Sequence, residues 1–213
     1  SLHDALPIYA TYFVKWVQAF NAEGIDIYAV TPQNEPLNRG NSASLYMSWE
    51  EQRDFVKTAL GPKFKTAGLA TKIYAYDHNY DYSDIETEKN YPGKMYEDPA
   101  ASQYLAGAAY HNYGGNREEL LNMHKAYPEK ELLFTETSIG TWNSGRDLSK
   151  RLLEDMKEVA LGTINNWCKG VIVWNLMLDN DRAPNREGGC QTCYGAVDIS
   201  NSDYKTIIRN SHY

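Results

Sequence analysis

The sequence predicts an α/β fold: an incomplete (β/α)8 TIM barrel in which strands four to eight and their intervening helices are present. Short apolar segments alternate regularly with helical segments along the chain. The apolar segments are hydrophobic almost throughout, as are parallel strands that helices cover. A polar cluster follows each of them, and a barrel places its active site at that carboxyl end of the strands. A doubly wound sheet also uses that end, but the sequence contains no glycine-rich dinucleotide or phosphate fingerprint.

The predicted elements follow from periodicity and from capping signals. Phe13, Val17 and Phe20 line one face of a first helix that begins at Tyr9 and ends near Gly24. The pattern of a serine followed three residues later by a glutamate predicts a capping box at the start of the second helix. The predicted strands are residues 25–30, 72–76, 106–110, 132–135 and 170–174, and the predicted helices are residues 9–24, 48–59, 98–105, 117–126 and 147–167.

The two ends of the chain do not fit this alternation. Residues 1–8 show no helical or strand period, and we expect them to be an assembly scar outside a partial catalytic domain formed by residues 9–213. Residues 204–213 are predicted to belong to no element. Five strands that do not close would leave two sheet edges exposed, which predicts poor solubility or dimerisation through those edges.

Composition excludes some classes of partner. The 213 residues carry a formal charge of −7 and contain no basic run, which argues against nucleic acid and anionic membrane surfaces. No apolar run is long enough to span a bilayer, and no signal peptide pattern is visible. The 17 tyrosines and 5 tryptophans suit stacking on sugar rings. Aromatic residues fill cores equally well, so composition alone does not decide between the two.

Two glutamates stand where predicted strands end. Glu35 lies in the turn Thr31-Pro-Gln-Asn-Glu-Pro36, and Glu136 ends the strand that begins at Leu132. Glycoside hydrolysis needs one carboxyl group to protonate the leaving oxygen and a second to attack the anomeric carbon or to activate water. One strand-terminal glutamate is more often a surface or capping residue. Two at equivalent strand ends predict a facing pair across a sugar-binding cleft.

Further motifs occur in a fixed order and carry a resemblance. The chain resembles glycoside hydrolase family 30, of the glucosylceramidase and endo-β-1,6-glucanase type, over residues 9–213. Asn-Glu-Pro alone is common to many barrel glycosidases, whereas the ordered set is specific. The matching motifs are Asn34-Glu-Pro36, Tyr76-Asp-His-Asn79, Tyr110-His-Asn-Tyr-Gly-Gly115, Phe134-Thr-Glu-Thr-Ser-Ile-Gly-Thr-Trp142, Val173-Trp-Asn-Leu176 and Gly188-Gly-Cys-Gln-Thr-Cys193.

The resemblance implies a retaining double-displacement mechanism without a cofactor or a metal. Glu35 would be the general acid/base and Glu136 the nucleophile, with their carboxyl groups roughly 5 Å apart. We expect Glu35 to hold a proton at working pH, through a poorly solvated site, and Glu136 to stay ionised through hydrogen-bond donors.

Six further residues are predicted to bind the substrate. Asn34 would donate to the sugar 2-hydroxyl, although a turn-forming asparagine is the alternative. His111 would tune the nucleophile and Tyr113 would hydrogen-bond the sugar. Asp77 would bind sugar hydroxyls, or belong to a solvated loop. The remaining two, Trp142 and Trp174, would stack on sugar faces, with Trp174 as the floor of the first subsite or else a core residue.

The three cysteines leave the redox state open. Cys190 and Cys193 could form half of a zinc site with His212, but a second CxxC pair is absent, so metal is disfavoured. A loop-closing disulfide or two free thiols fits better, and Cys168 reads as a packing residue.

The resemblance also implies a substrate and a compartment. We expect β-1,6-glucan, with a β-glucosidase or glucosylceramidase of the same family, or a non-catalytic carbohydrate-binding fragment, as alternatives. Family members are mostly exported, which implies a secreted or periplasmic protein. The expected partner is thus an oligo- or polysaccharide, or a β-glucoside.

Overall fold

A five-stranded parallel sheet organises the chain. The computed structural model describes residues 2–40 and 44–213, and in it the strand order is β1-β2-β3-β4-β6. Every neighbouring pair in this sheet is parallel, and a helical segment connects each strand to the next. The sheet strands are β1 (Ala29–Val30), β2 (Lys72–Asn79), β3 (Leu105–His111), β4 (Glu131–Glu136) and β6 (Cys168–Val171). This is part of a (β/α)8 barrel, as the sequence predicts.

The helices lie between the strands along the chain, and side-chain capping marks the start of the second helix. The side chain of Ser48 accepts from the Glu51 amide and the Glu51 side chain accepts from the Ser48 amide, so the predicted capping box is present. The helices are α1 (Leu2–Ala22), α2 (Trp49–Phe55), α3 (Gly61–Thr66), α4 (Tyr91–Tyr96), α5 (Pro99–Ser102), α6 (Glu118–Ala126), α7 (Leu148–Glu154) and α8 (Leu161–Ile164). π-Helical turns, Val56–Leu60 and Asp155–Ala160, join α2 to α3 and α7 to α8.

Two small sheets lie beside the main one. Strand β7 (Met177–Asp179) pairs parallel with β9 (Val197–Ile199), which pairs antiparallel with β10 (Ile207–Arg209). Strand β5 (Ile139–Gly140) pairs antiparallel with β8 (Cys193–Tyr194). The second pair connects the segment after Glu136 to the loop that carries the cysteines.

The structure corrects both chain ends of the sequence-based prediction. The first helix begins at Leu2 rather than Tyr9, and Leu6 is buried, so the expectation that this segment lacks helical structure is wrong for residues 2–8. Ser1 lies outside the described residues. The origin of these residues as a scar stays a prediction. Residues 204–213 contain β10, and His212 Nε2 lies 3.5 Å from Asp155 Oδ2. The prediction missed this strand because its pairing partner is distant in sequence.

The predicted helix 147–167 is only partly correct. Its predicted apolar stripe splits, because Val159 and Thr163 are buried whereas Leu148, Leu152 and Met156 are exposed on α7 and the π-turn. The stripe therefore meets the core only in its second half.

The core fills the space between the sheet and its helices. Large aromatic and aliphatic side chains with no or almost no exposed surface form it, and burial of each contributes about 1.5–3 kcal/mol. They include Phe55, Leu60, Tyr76, Tyr91, Tyr110, Leu120, Leu132 and Phe134. The helices are therefore packed tightly against the sheet, and this packing fixes the positions of the carboxyl ends of the strands.

Candidate active site

Glu35 is held at the end of the first sheet strand. Its backbone has a φ of 46°, in the left-handed region, and its amide donates to the Asp77 carbonyl at 2.9 Å. The Asn38 amide group donates to Glu35 Oε2 at 2.8 Å. The side chain of Glu35 is buried. A left-handed backbone, strand β2 and the loop that carries Glu35 thus hold this carboxylate in place.

Glu136 is the last residue of β4 and lies beside Glu35. The Tyr113 hydroxyl lies 3.0 Å from Glu136 Oε1 and 3.0 Å from Ser138 Oγ, and its single proton can go to one of them at a time. One oxygen of Glu35, one oxygen of Glu136 and a ring nitrogen of His111 lie within 4.8 Å of one another. The two glutamates therefore meet, at a separation that suits a retaining glycosidase.

His111 bridges two carboxylates from the end of β3. Its Nδ1 lies 3.3 Å from Glu35 Oε1, and its Nε2 lies 3.1 Å from Asp77 Oδ1. Burial disfavours the charged ring, but hydrogen bonds with Asp77 and Glu35 outweigh burial and raise the pKa of His111 to about 9. The ring is therefore a buried cation at neutral pH. Its hydrogen-bond partner is Glu35, rather than the nucleophile that the sequence analysis had expected it to tune.

Asp77 lies beneath the cleft. Its carboxylate accepts from the Thr31 and Thr135 hydroxyls, both at 2.6 Å, in addition to facing His111. The side chain is buried, and among the described residues it is not one of those that line the cleft. These contacts give Asp77 the geometry of a support for His111, which differs from the sugar contact predicted for it.

The proton affinities of the two glutamates run opposite to expectation. Burial favours neutral Glu35, but hydrogen bonds from His111 and Asn38 outweigh it and lower the pKa of Glu35. Burial raises the pKa of Glu136, and the negative charge of Glu35 adds to that, against the opposing His111 cation. The lowered pKa of Glu35 is contrary to the expectation that Glu35 favours its protonated form, and the raised pKa of Glu136 is contrary to the expectation that donors favour its ionised form. The reason for the first is that His111, unforeseen as a neighbour of Glu35, hydrogen-bonds with its carboxylate.

An open cleft of about 480 Å³ contains both glutamates. Of the residues predicted to bind the sugar, Asn34, Tyr113, Trp142 and Trp174 line this cleft, and both tryptophans are more than a third exposed. Sequence reasoning missed one whole side of the cleft, residues 184–193, which we call the cleft wall. The sequence feature that could have indicated the wall is the glycine-rich loop around the Cys190–Cys193 pair. The residues of the wall that line the cleft are Pro184, Asn185, Arg186, Gly188, Gly189, Cys190 and Cys193.

The cysteines do not form a metal site. Cys190 and Cys193 form a disulfide, with a Cα–Cα distance of 5.7 Å, so neither sulfur is a thiolate ligand for zinc. Cys168 is buried and free, as a packing residue would be. Within residues 2–40 and 44–213, one cluster of three side chains has ligand atoms close enough together to hold a cation. It consists of Glu35, His111 and Glu136. Both nitrogens of His111 already face carboxylates, so the donor set fits a proton network better than a metal.

No helix within residues 2–40 and 44–213 combines the length and the apolar character needed to cross a membrane.

The sequence of the chain is similar to the sequences of known proteins. The chain is 36% identical over 203 residues to the endo-1,6-β-D-glucanase BGN16.3 of Trichoderma harzianum, and the match covers 92% of this chain and 38% of that protein. It is 28% identical over 194 residues to putative glucosylceramidase 4 of Caenorhabditis elegans, covering 83% of this chain and 35% of that protein.

A solved structure, titled as the endo-β1,6-glucanase BT3312, matches with a TM-score of 0.97 and 88% identity over 99% of this chain and 46% of that one. The chain thus spans less than half the length of the relatives that it matches. The sequence model of the glycosyl hydrolase family 30 TIM-barrel domain matches residues 3–203. This chain belongs to glycosyl hydrolase family 30.

Proposed function

We propose that this chain carries the catalytic centre of a retaining glycoside hydrolase that cleaves β-1,6-linked glucan. The observation that carries the proposal is the meeting of Glu35 and Glu136, within 4.8 Å, in an open cleft with exposed tryptophans. Similarity to endo-1,6-β-glucanases supports the choice of linkage.

The proposed reaction has two displacements. Glu136 attacks the anomeric carbon while Glu35 protonates the leaving glycosidic oxygen, and a covalent glycosyl-enzyme forms. Glu35 then takes a proton from water, which attacks the same carbon and releases Glu136. Tyr113 supports this assignment because its hydroxyl lies 3.0 Å from Glu136 Oε1 and holds that oxygen in place.

The proton for the first step has a nearby source. His111 Nδ1 lies 3.3 Å from Glu35 Oε1, and the pKa of His111 is raised to about 9, whereas the pKa of Glu35 is lowered. A sugar that displaces water from the cleft disfavours charge on both glutamates, which moves the proton towards Glu35. Asp77 keeps the ring oriented from the other side.

Sugar contacts are assigned to the exposed residues of the cleft. Trp174 and Trp142 offer flat faces for the apolar side of a glucose ring. Asn34 and Tyr113 offer polar groups next to the two glutamates. We assign Asp77 to His111 rather than to the sugar, because its oxygens already accept from two threonines.

The roles of the two glutamates can be separated by azide rescue. In Glu136→Ala, azide should replace the nucleophile and give an α-glucosyl azide from an activated aryl β-glucoside. In Glu35→Ala, the glycosyl-enzyme should form and azide should give the β-glucosyl azide. The readout is the anomeric configuration, by NMR. Opposite configurations would exchange the roles of acid/base and nucleophile between the two glutamates. The test is needed because the pKa of Glu35 is lowered and that of Glu136 is raised.

Activity itself is tested by reducing sugar released from a β-1,6-glucan, with Glu129→Gln, an exposed carboxyl change, as the matched control. Release by the wild type and the control, but not by Glu136→Gln, supports the proposal. Binding without release favours the second candidate, a non-catalytic carbohydrate-binding fragment. Faster turnover of glucosylceramide than of β-1,6-glucan favours the third candidate, a glucosylceramidase. Similarity to putative glucosylceramidases supports this candidate.

We also propose that the protein acts outside the cytoplasm, in a secreted or periplasmic location. The Cys190–Cys193 disulfide supports this, since disulfides persist in oxidising compartments, and a glucan polymer is an external substrate. Fractionation of the native producer tests it.

A further inference from the structure

One end of the cleft wall is attached to the barrel. There, β8 pairs with β5 through Ile139–Tyr194 and Gly140–Cys193, and the Thr141 amide donates to the Thr192 carbonyl at 2.9 Å. Strand β5 begins three residues after Glu136. This end of the wall is therefore fixed to the same chain segment as one of the proposed catalytic groups.

Several contacts of the wall lie within its own loop. The Gln191 amide group donates to the carbonyls of Arg186 and Gly189, at 2.9 and 3.2 Å, and Arg182 Nε donates to the Gln191 carbonyl at 3.0 Å. These bonds are solvent-exposed, and each such bond contributes little to order because water competes for it. They shape the loop between Arg182 and Gln191.

The disulfide connects the two parts. Cys193 is 1% exposed and belongs to β8, whereas Cys190 is half-buried, lies in the loop and lines the cleft. The bond closes a ring of only four residues. Loop-closure entropy grows with ring length, so a bridge this short restricts the unfolded chain least and contributes little to global stability. Its effect is local, on the position of the cleft wall.

We propose that the Cys190–Cys193 disulfide is a positioning element of the sugar cleft: it holds residues 184–190 of the wall at their distance from Glu136 and the tryptophans. The inference rests on the proposed function for the identity of the sugar. Glu35 and Glu136 are anchored by the main sheet, so loss of the bridge weakens sugar binding and leaves the chemical step nearly unchanged.

The test compares the oxidised chain with the chain reduced by dithiothreitol. The reagent's two thiols are oxidised to a cyclic disulfide, and Cys190 and Cys193 each gain an electron and a proton. Affinity for a β-1,6-linked glucotriose is followed by tryptophan fluorescence, since Trp142 and Trp174 line the cleft. We expect Kd to rise about tenfold, the cost of ordering one or two side chains on binding, and KM to rise with kcat unchanged.

The double variant Cys190→Ala/Cys193→Ala is the control. It should bind like the reduced wild type and should not respond to dithiothreitol, which separates this bridge from other effects of the reagent. Backbone amide exchange gives a readout that needs no sugar: residues 184–190 should exchange faster after reduction, while 139–140 and 193–194 stay protected.

Each outcome decides the inference. Equal exchange in the two redox states overturns the bridge as a support of the wall. Faster exchange with an unchanged Kd overturns its role in sugar binding. An oxidised chain that binds no β-1,6-linked glucotriose contradicts the proposed substrate and the sugar-positioning role together, and the exchange experiment then still decides whether the bridge holds the wall.

Discussion

Strand β4 begins and ends on a glutamate, and the two ends differ in every respect except the side chain. Glu131 is surrounded by donors: Lys72 Nζ at 2.8 Å, Lys169 Nζ at 2.5 Å and the Tyr74 hydroxyl. Burial disfavours its charge, but these hydrogen bonds outweigh burial and lower the pKa of Glu131 to about 2. Burial raises the pKa of Glu136, which has Tyr113 as hydrogen-bond donor and a second carboxylate close by.

The contrast separates stability from chemistry within one strand. At the amino end of the barrel, opposite charges are paired and the carboxylate is satisfied. At the carboxyl end, like charges are brought together around a cleft, which costs stability and provides reactivity. The comparison predicts that the same Glu→Gln change has opposite consequences at the two ends.

The largest expected effect is on activity. Glu136→Gln should lower kcat on β-1,6-glucan by about 10⁴-fold or more, because the proposed nucleophile is lost. Its melting temperature should be equal to or above that of the wild type, since the change removes a charge that burial and Glu35 disfavour. Glu131→Gln should keep kcat within about twofold. Initial rates and thermal melts of both variants check these expectations. A Glu136→Gln variant with activity near that of the wild type would contradict the proposed difference between the two ends of the strand.

The next effect is on stability, and it belongs to the other end of the strand. Glu131→Gln should lower the free energy of unfolding by about 1–3 kcal/mol, because two lysines and a tyrosine lose a charged acceptor. Urea unfolding measures it. Glu129→Gln, two residues earlier and exposed, is the matched control and should stay within about 0.5 kcal/mol of the wild type. Equal losses in the two variants would mean that the Glu131 cluster contributes nothing specific.

The smallest effect is a change of that difference with pH. The pKa of Glu131 falls from its ordinary 4.5 to about 2 on folding, so its contribution is present above pH 4.5 and is lost as the pH falls towards 2. The stability gap between wild type and Glu131→Gln should therefore shrink over that interval. Urea unfolding at a series of pH values checks it, and a gap that widened on acidification would reverse the assigned sign.

Local sequence patterns were enough to locate most of the architecture. Apolar runs predicted all five strands of the main sheet, although β1 comprises only Ala29–Val30 and β6 ends at Val171, earlier than expected. The capping box at Ser48 was predicted because its two partners are three residues apart. Strand β10 was missed because it depends on pairing with β9, which a short segment does not reveal.

The same division holds within the site. Glu35, Glu136, Asn34, Tyr113 and the two tryptophans line the cleft. They could be proposed from the sequence because each lies at or after the end of a predicted strand and belongs to a motif. The neighbours of His111 were not found, since Glu35 is 76 residues away along the chain. The cleft wall was missed as a surface because its position depends on a disulfide and on pairing with β5.

The sequence by itself determined which residues form parallel strands and which acidic side chains stand at their carboxyl ends, because periodicity and capping are properties of neighbouring residues. Only the tertiary structure decided in which direction the pKa of His111 shifts, that Cys190 and Cys193 are bonded, and that Asp77 contacts His111 instead of lining the cleft. Proton affinity and hydrogen bonding depend on distances between groups that the fold brings together, and those distances are not written in any one segment.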